Sequence, residues 1–344
     1  MSAETRLSLA VLLIVVLLGV ALHAVGVHPL RPSGYAANLL LFVAAWFVMA
    51  STRLTRNLLR DRPARPLAYL WAHEFGPEYR ARLKQSSPIL LAAIIFLPTF
   101  SAIKSAIPLF QPYIWDQTFI DLDRQIHGTD AWRLLQPALG FPVVTFLISA
   151  LYQLWILLIY MGTIHVALHI GDRDLRLRYF RSFFAIWIVN GVCLAILFAS
   201  VGPCFAEVML GNRHFADQMA YLHHANAHWP VMSLEVQQQL IQWHSSGSTG
   251  LGRGISAMPS MHVSLAFLFF LAVRRISRAM GILFGLYAAV ILLGSVHLAY
   301  HYAVDGYVSI ATTLILWMAF RRGSVATANA PQHASLPVFS ADAR

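Results

Sequence analysis

The feature that most constrains this chain is a stretch of 42 residues, 279–320, that is almost free of charge. As one helix it would be about 63 Å long, whereas the hydrocarbon core of a bilayer is about 30 Å thick. The stretch must therefore fold back near residue 300 and give two spans, 279–298 and 301–320. The whole chain is 58% hydrophobic and 12% charged, which indicates a membrane protein because an average soluble domain is about a quarter charged.

Six further apolar stretches precede this block. The N-terminal one is interpreted as a retained first span, because it is longer than a signal-peptide core and lacks a clear cleavage site. Together with the last two, they predict an all-α, polytopic membrane helical bundle of about eight transmembrane helices. The six stretches are 7–27, 35–51, 88–110, 142–168, 183–203 and 259–273.

Arginine and lysine are distributed unevenly between the connections. Clusters occupy 52–87, 169–182 and 274–278, and Arg321 and Arg322 follow the last span. The positive-inside rule therefore predicts a multi-pass protein of the inner membrane with both termini cytoplasmic. The net charge of +10 is then explained by topology, and nucleic acid is not an expected partner. The other side holds only Arg31, Arg124, Arg133, Arg213 and Arg253.

A candidate anion site precedes the sixth predicted span. Met258 is biased away from helix because proline follows it, and Pro259 suits the first helical position. The helix is therefore predicted to begin at Pro259, with the free N–H groups of Ser260 to His262 at the outer face. Arg253 lies just before them and could grip a phosphate. The alternative is an ordinary capped helix start with an unrelated histidine.

His301 and Asp305 are expected one turn apart on one face, at the outer end of the last span. An aspartate inside an apolar span is costly and functional by default. Its carboxylate can accept one ring N–H of His301 and leave the other nitrogen as a nucleophile or base. The alternative is a structural His–Asp pair. With His262 at the same face, the set fits phosphoryl transfer from a lipid headgroup, with no cofactor and no metal expected.

Two motifs, residues 259–262 (Pro-Ser-Met-His) and 301–305 (His-Tyr-Ala-Val-Asp), resemble those of the type 2 phosphatidic acid phosphatase superfamily. The sequence around these motifs, together with the Trp-Asp pair at 115–116 and residues 121–128, is most similar to the branch that contains inositol phosphorylceramide synthase. The resemblance covers residues 90–320 approximately. The resemblance implies a phosphatase-like catalytic core of six spans. In that core His301 attacks phosphorus, Asp305 orients the ring of His301, and His262 protonates the leaving group.

The sequence departs from that family in its phosphate ligands. The first motif, a lysine separated by six residues from a following Arg-Pro pair, is absent, and Ser295 stands where the third motif usually has arginine. These departures favour transferases, whose diester substrates carry less charge. Arg253 and Lys104 are the candidate replacement cations; the alternative for Lys104 is a span-end lysine whose side chain extends to the interface. His297 is expected either to line the site or to mark the turn.

The predicted organisation is two N-terminal spans with a basic connection (1–87), a catalytic six-helix membrane domain (88–322) and a disordered cytoplasmic tail (323–344). The predicted function is a lipid phosphotransferase. It passes a phospho-headgroup from a phospholipid donor to a lipid-alcohol acceptor through a phosphohistidine at the outer, periplasmic face. The alternatives are a lipid phosphate phosphatase with water as acceptor and a non-catalytic lipid transporter. The sequence does not indicate the oligomeric state.

The remaining polar residues carry weaker signals. His223, His224 and His228 are expected to be a solvated cluster rather than a metal site. Asp121 and Asp123 either hold a headgroup or divalent ion, or form a solvated face or a helix cap. The two cysteines, Cys193 and Cys204, are expected to be free thiols, since eleven helical residues separate them by about 16 Å.

Overall fold

The structure is a computed structural model that describes residues 1–27, 32–74, 76–247 and 252–321, and every regular element in these ranges is a helix. The tail predicted for 323–344, with Arg31 and Arg322, lies outside the described residues. The helices are α1 (Ala3–Ala24), α2 (Pro32–Asp61), α3 (Pro66–Glu74), α4 (Pro77–Phe110), α5 (Asp116–His127), α6 (Ala131–Leu139), α7 (Pro142–His169), α8 (Arg173–Leu197), α9 (Pro203–Leu210), α10 (Ala216–His228), α11 (Met232–Ser245), α12 (Met261–Val273), α13 (Arg278–His297) and α14 (Ala303–Ala319).

Eight of these helices are apolar and correspond to the eight predicted spans. Within the described ranges, α1, α2, α4, α7, α8 and α13 are long and apolar enough to cross a membrane. The other two, α12 and α14, have 13 and 17 residues. Helix α13 ends at His297 and α14 begins at Ala303, which confirms the fold-back near residue 300. The prediction of an all-α, multi-pass bundle is confirmed.

Three predicted spans are too short, because their helices continue into the basic segments. Helix α2 runs on to Asp61, α4 begins at Pro77, and α8 begins at Arg173. Arginine and lysine are good helix formers, so a cluster of them ends the apolar run without ending the helix. The domain boundary predicted between residues 87 and 88 consequently falls inside α4.

The N-terminal helices are joined to the rest of the bundle by buried polar contacts. Glu4 of α1 is 2% exposed and accepts two hydrogen bonds from Arg173 of α8, at 2.8 and 2.7 Å. In α2, Asn38 donates to the carbonyl of Ile94 in α4 and accepts the hydroxyl of Tyr160 in α7. Helices α1 and α2 therefore pack directly on the helices that carry the site.

Helix α12 lies at the centre of the bundle, where it packs against α7, α8, α13 and α14. Leu265, Ala266 and Leu268 are each fully buried, as expected of a helix that is hydrophobic on all sides. The helix begins just before His262, so an enclosed helix carries that histidine.

Candidate active site

A cavity of about 370 Å³ lies among α4, α7, α8, α12 and the segment before α12. The side chains of Lys104, Arg253, His262 and His301 all line it. Four of the residues predicted for the site, from three separate parts of the sequence, therefore meet at one cavity.

The other end of the cavity is apolar. Leu41 of α2, Leu97 of α4 and Ile156 of α7 line it there. Leu41 and Ile156 are also 42% and 49% exposed on the outside of the bundle, so the cavity extends from the polar cluster to a surface that would face lipid. Such a cavity suits a molecule with one charged end and one hydrocarbon end.

His301 lies in the short connection between α13 and α14, held by Asp305. Its Nδ1 is 3.2 Å from Oδ2 of Asp305, and the same oxygen accepts the N–H of Tyr302 at 3.1 Å. His301 is 6% exposed and Asp305 is completely buried. Because Nδ1 is engaged by the carboxylate, Nε2 is the ring nitrogen available to a bound molecule.

Helix α12 begins two residues later than predicted, at Met261 instead of Pro259. Ser260 is its N-cap, since the Ser260 hydroxyl accepts the N–H of Val263 at 3.4 Å. That hydroxyl is used by the helix, and Ser260 is fully buried. The N–H groups of Met261 and His262 lie in the first turn, where no helical carbonyl can accept them.

The ring of His262 is fixed by aromatic contacts with α7. It stacks on Tyr152 and Trp155, with ring centroids 4.2 and 3.9 Å apart respectively. His262 and His301 line the same cavity, so both histidines can contact one bound group.

Lys104 and Arg253 are brought together by a close backbone contact. Gly254 has φ +97°, and a Cβ atom there would lie 2.6 Å from the backbone carbonyl carbon of Lys104, so only glycine fits this approach. Arg253 also packs over the ring of Trp243, 4.6 Å from its centroid. Among the described residues, Lys104 has no hydrogen bond or ion pair.

His297 lies outside the lining of this cavity, in a separate buried polar cluster. Its Nε2 is 2.9 Å from the hydroxyl of Thr145, and its carbonyl accepts an N–H of Gln218 at 3.2 Å. The Ser295 hydroxyl donates to the carbonyl of Leu292 at 2.7 Å. Of the two expectations for His297, a place in the lining of this cavity is not found, and its position as the last residue of α13 agrees with the alternative that it marks the turn. Its ring points towards α7.

The weaker sequence signals are also located. His223, His224 and His228 lie exposed on α10, and no group of residues in the described ranges is arranged to hold a metal ion. Cys193 and Cys204 are free, as expected.

Asp123 supports the site from another helix. It is 6% exposed and accepts the N–H groups of Ala303 and Val304 at 2.7 and 2.9 Å. Burial raises the pKa of Asp123, and these two N–H groups oppose that rise. The helix-cap interpretation holds, but the capped helix is α14, which follows His301. Sequence spacing contains no sign of so distant a partner.

Comparison with known proteins gives one match. A sequence model of the PAP2 superfamily matches residues 117–319. This region runs from the first turn of α5 to the end of α14 and includes His262, His301 and Asp305. None of the curated proteins and none of the solved structures matches the chain.

Proposed function

Because this chain belongs to the PAP2 superfamily, we propose that it is a membrane lipid phosphotransferase that moves a phospho-headgroup from a phospholipid to a lipid alcohol. Membership supports a lipid phosphatase or phosphotransferase type of function. The observation that carries the finer proposal is the cavity with His262 and His301 at its polar end and an apolar end that reaches the bundle surface.

The charges of the cavity favour a diester over a monoester. The cations in its described lining are Lys104 and Arg253, and Ser295, where related enzymes have arginine, is buried and bonded to a carbonyl. A phosphodiester carries one negative charge and a phosphomonoester carries up to two. Because this cavity has fewer cations than the family motifs would supply, it suits the diester. The acyl chains of the donor occupy the apolar end, between Leu41 and Ile156.

In the first step Nε2 of His301 attacks phosphorus. The bond from phosphorus to the diacylglycerol oxygen breaks, and protonated His262 gives its proton to that oxygen, so neutral diacylglycerol leaves. The Asp305 carboxylate stabilises the positive charge that develops on the His301 ring as the phosphohistidine forms. Lys104 and Arg253 stabilise the charge on the phosphoryl oxygens.

In the second step the acceptor enters where diacylglycerol left. Neutral His262 takes the proton of its hydroxyl, and the oxygen attacks phosphorus while the bond to Nε2 of His301 breaks. The product is a new phosphodiester, and both histidines return to their starting states. The distribution of basic residues supports an outer, periplasmic position for this centre, with both termini cytoplasmic.

The test uses purified protein in vesicles that contain phosphatidylinositol with headgroup label, with and without a lipid alcohol. A labelled phosphodiester that forms only with the alcohol is expected, as is a covalent phospho-protein that His301→Ala abolishes. His224→Ala is the matched control, because His224 is exposed on α10 and should leave both results unchanged.

Three outcomes contradict the proposal in different ways. Release of inositol phosphate irrespective of the alcohol would identify a hydrolase. Movement of lipid between leaflets with unchanged lipid composition would identify a transporter. Full transfer activity in His301→Ala would exclude the phosphohistidine.

A further inference from the structure

Residues 200–204, here called the linking segment, follow α8 and contact the loop before His262. The carbonyl of Ser200 accepts the N–H of Ala257 at 2.9 Å. The hydroxyl of Ser200 accepts the N–H of Met258 at 3.2 Å. One residue thus holds the approach to α12 through two hydrogen bonds.

The same segment contacts the loop that leads to His301. The N–H of Cys204 donates to the carbonyl of Ala299 at 2.8 Å. Gly202 has φ +90°, and a Cβ atom there would lie 2.5 Å from the carbonyl oxygen of Tyr300 and 3.1 Å from Cβ of Ala257. The linking segment is therefore packed tightly between the two histidine-bearing loops.

Asp116 holds the linking segment in this position. One carboxylate oxygen accepts the N–H of Gly202 at 2.9 Å and the hydroxyl of Tyr302 at 2.8 Å. Both oxygens are within 3.1 Å of the N–H of Val201. Asp116 is 3% exposed, so its hydrogen-bonding capacity is directed at these groups. Tyr302 is the residue directly after His301.

We propose that Asp116 is a positioning residue that fixes the separation between His262 and His301. The inference rests on the proposed phosphotransfer. In that reaction the nucleophile and the leaving group lie on opposite sides of phosphorus, so the nucleophile and the general acid must be held a fixed distance apart. A displacement of about 1 Å can cost on the order of 100-fold in rate.

The experiment compares two donors that differ in their leaving group. The diacylglycerol oxygen of phosphatidylinositol is a poor leaving group and needs the proton of His262, whereas nitrophenolate leaves bis(p-nitrophenyl) phosphate without a proton. In Asp116→Ala, turnover of the lipid should fall about 100-fold. Turnover of the nitrophenyl diester should fall by about tenfold or less, so the ratio of the two rates should change at least about tenfold. The ratio of the two rates is independent of the fraction of protein that is folded.

Two further variants test whether the effect comes from the hydrogen bonds of Asp116, from its negative charge or from a general disturbance of helix α5. Asp116→Asn retains an oxygen that can accept the hydrogen bonds of Gly202 and Tyr302. The ratio of the rate on the lipid to the rate on the nitrophenyl diester should therefore be close to the wild-type value in this variant. Asp121→Ala alters an exposed aspartate of the same helix and should leave the ratio at the wild-type value. An equal loss on both donors in Asp116→Ala would overturn the positioning role.

Hydrogen exchange tests the same link without any activity. In Asp116→Ala the amides of 257–258 and 299–304 should exchange together, about tenfold faster than in the wild type. Faster exchange confined to Val201 and Gly202 would overturn the inference. If the wild-type protein uses neither donor, the phosphotransferase proposal fails, and this exchange pattern still decides whether Asp116 joins the two loops.

Discussion

Replacing Lys104 by methionine should lower activity and raise stability at the same time. Lys104 lines the polar end of the cavity, and within the described residues no ion pair or hydrogen bond compensates its charge. The proposed phosphate supplies the missing partner only when substrate is bound. Methionine keeps most of the length of the side chain and removes the charge.

The size of both effects follows from this setting. Two unit charges about 4 Å apart interact by about 4 kcal/mol at an effective dielectric constant of about 20. Since about 1.4 kcal/mol corresponds to a factor of ten, kcat/KM should fall roughly 100- to 1000-fold. Placing a lysine inside the membrane costs about 2.5–3.5 kcal/mol, and the cavity around Lys104 relieves part of that cost. The free energy of unfolding of Lys104→Met should therefore rise by roughly 1–3 kcal/mol.

The assay combines transfer kinetics with thermal unfolding in one detergent. The matched control is Lys84→Met, because Lys84 is the only other lysine of the chain and lies exposed near the opposite end of the same helix. The control should change neither kcat/KM nor Tm. Activity of Lys104→Met within threefold of wild type, or a lowered Tm, would refute the reasoning.

Three further perturbations test other parts of the structure. Leu41→Trp narrows the apolar end of the cavity, so KM for the long-chain donor should rise about tenfold. Turnover of bis(p-nitrophenyl) phosphate should stay unchanged, and equal effects on both donors would contradict the proposal that the acyl chains occupy the apolar end. Gly254→Ala forces a side chain into a left-handed conformation and should cost about 1–3 kcal/mol, measured as a lower Tm with a raised KM. Arg173→Ala leaves the buried Glu4 without the arginine that donates two hydrogen bonds to it and should lower Tm, whereas Arg213→Ala, which removes an ion pair with both partners exposed, should change Tm much less.

The sequence predicts the bundle well because its strongest signal is physical length. The block 279–320 is too long for one span, so the turn near residue 300 follows from bilayer thickness alone. Span ends are less predictable. The hydropathy of the segment before residue 183 falls at its arginines, yet helix α8 continues through them to Arg173.

The candidate site is predictable where its residues are neighbours in sequence. His301 and Asp305 are four apart, and their hydrogen bond is the expected one. Asp116 and Asp123 escape such reasoning because their partners, such as Tyr302 and Ala303, lie far along the chain. The direction of His297 was also undetermined, since rotation of α13 about its axis depends on packing against α7.

The short length of α12 has a consequence for the membrane around the protein. Its 13 residues rise about 20 Å, roughly 10 Å less than the hydrocarbon thickness. The irregular backbone that precedes it is acceptable at such depth because protein covers it: Ile255, Met258 and Ser260 are 2%, 3% and 0% exposed. With the C-terminal end of α12 at one membrane surface, His262 would lie about 10 Å inside the opposite boundary of the hydrocarbon core, whereas the level of a phospholipid headgroup follows the length of its acyl chains. We therefore expect hydrophobic mismatch to affect turnover, which should pass through a maximum as the host bilayer is thickened.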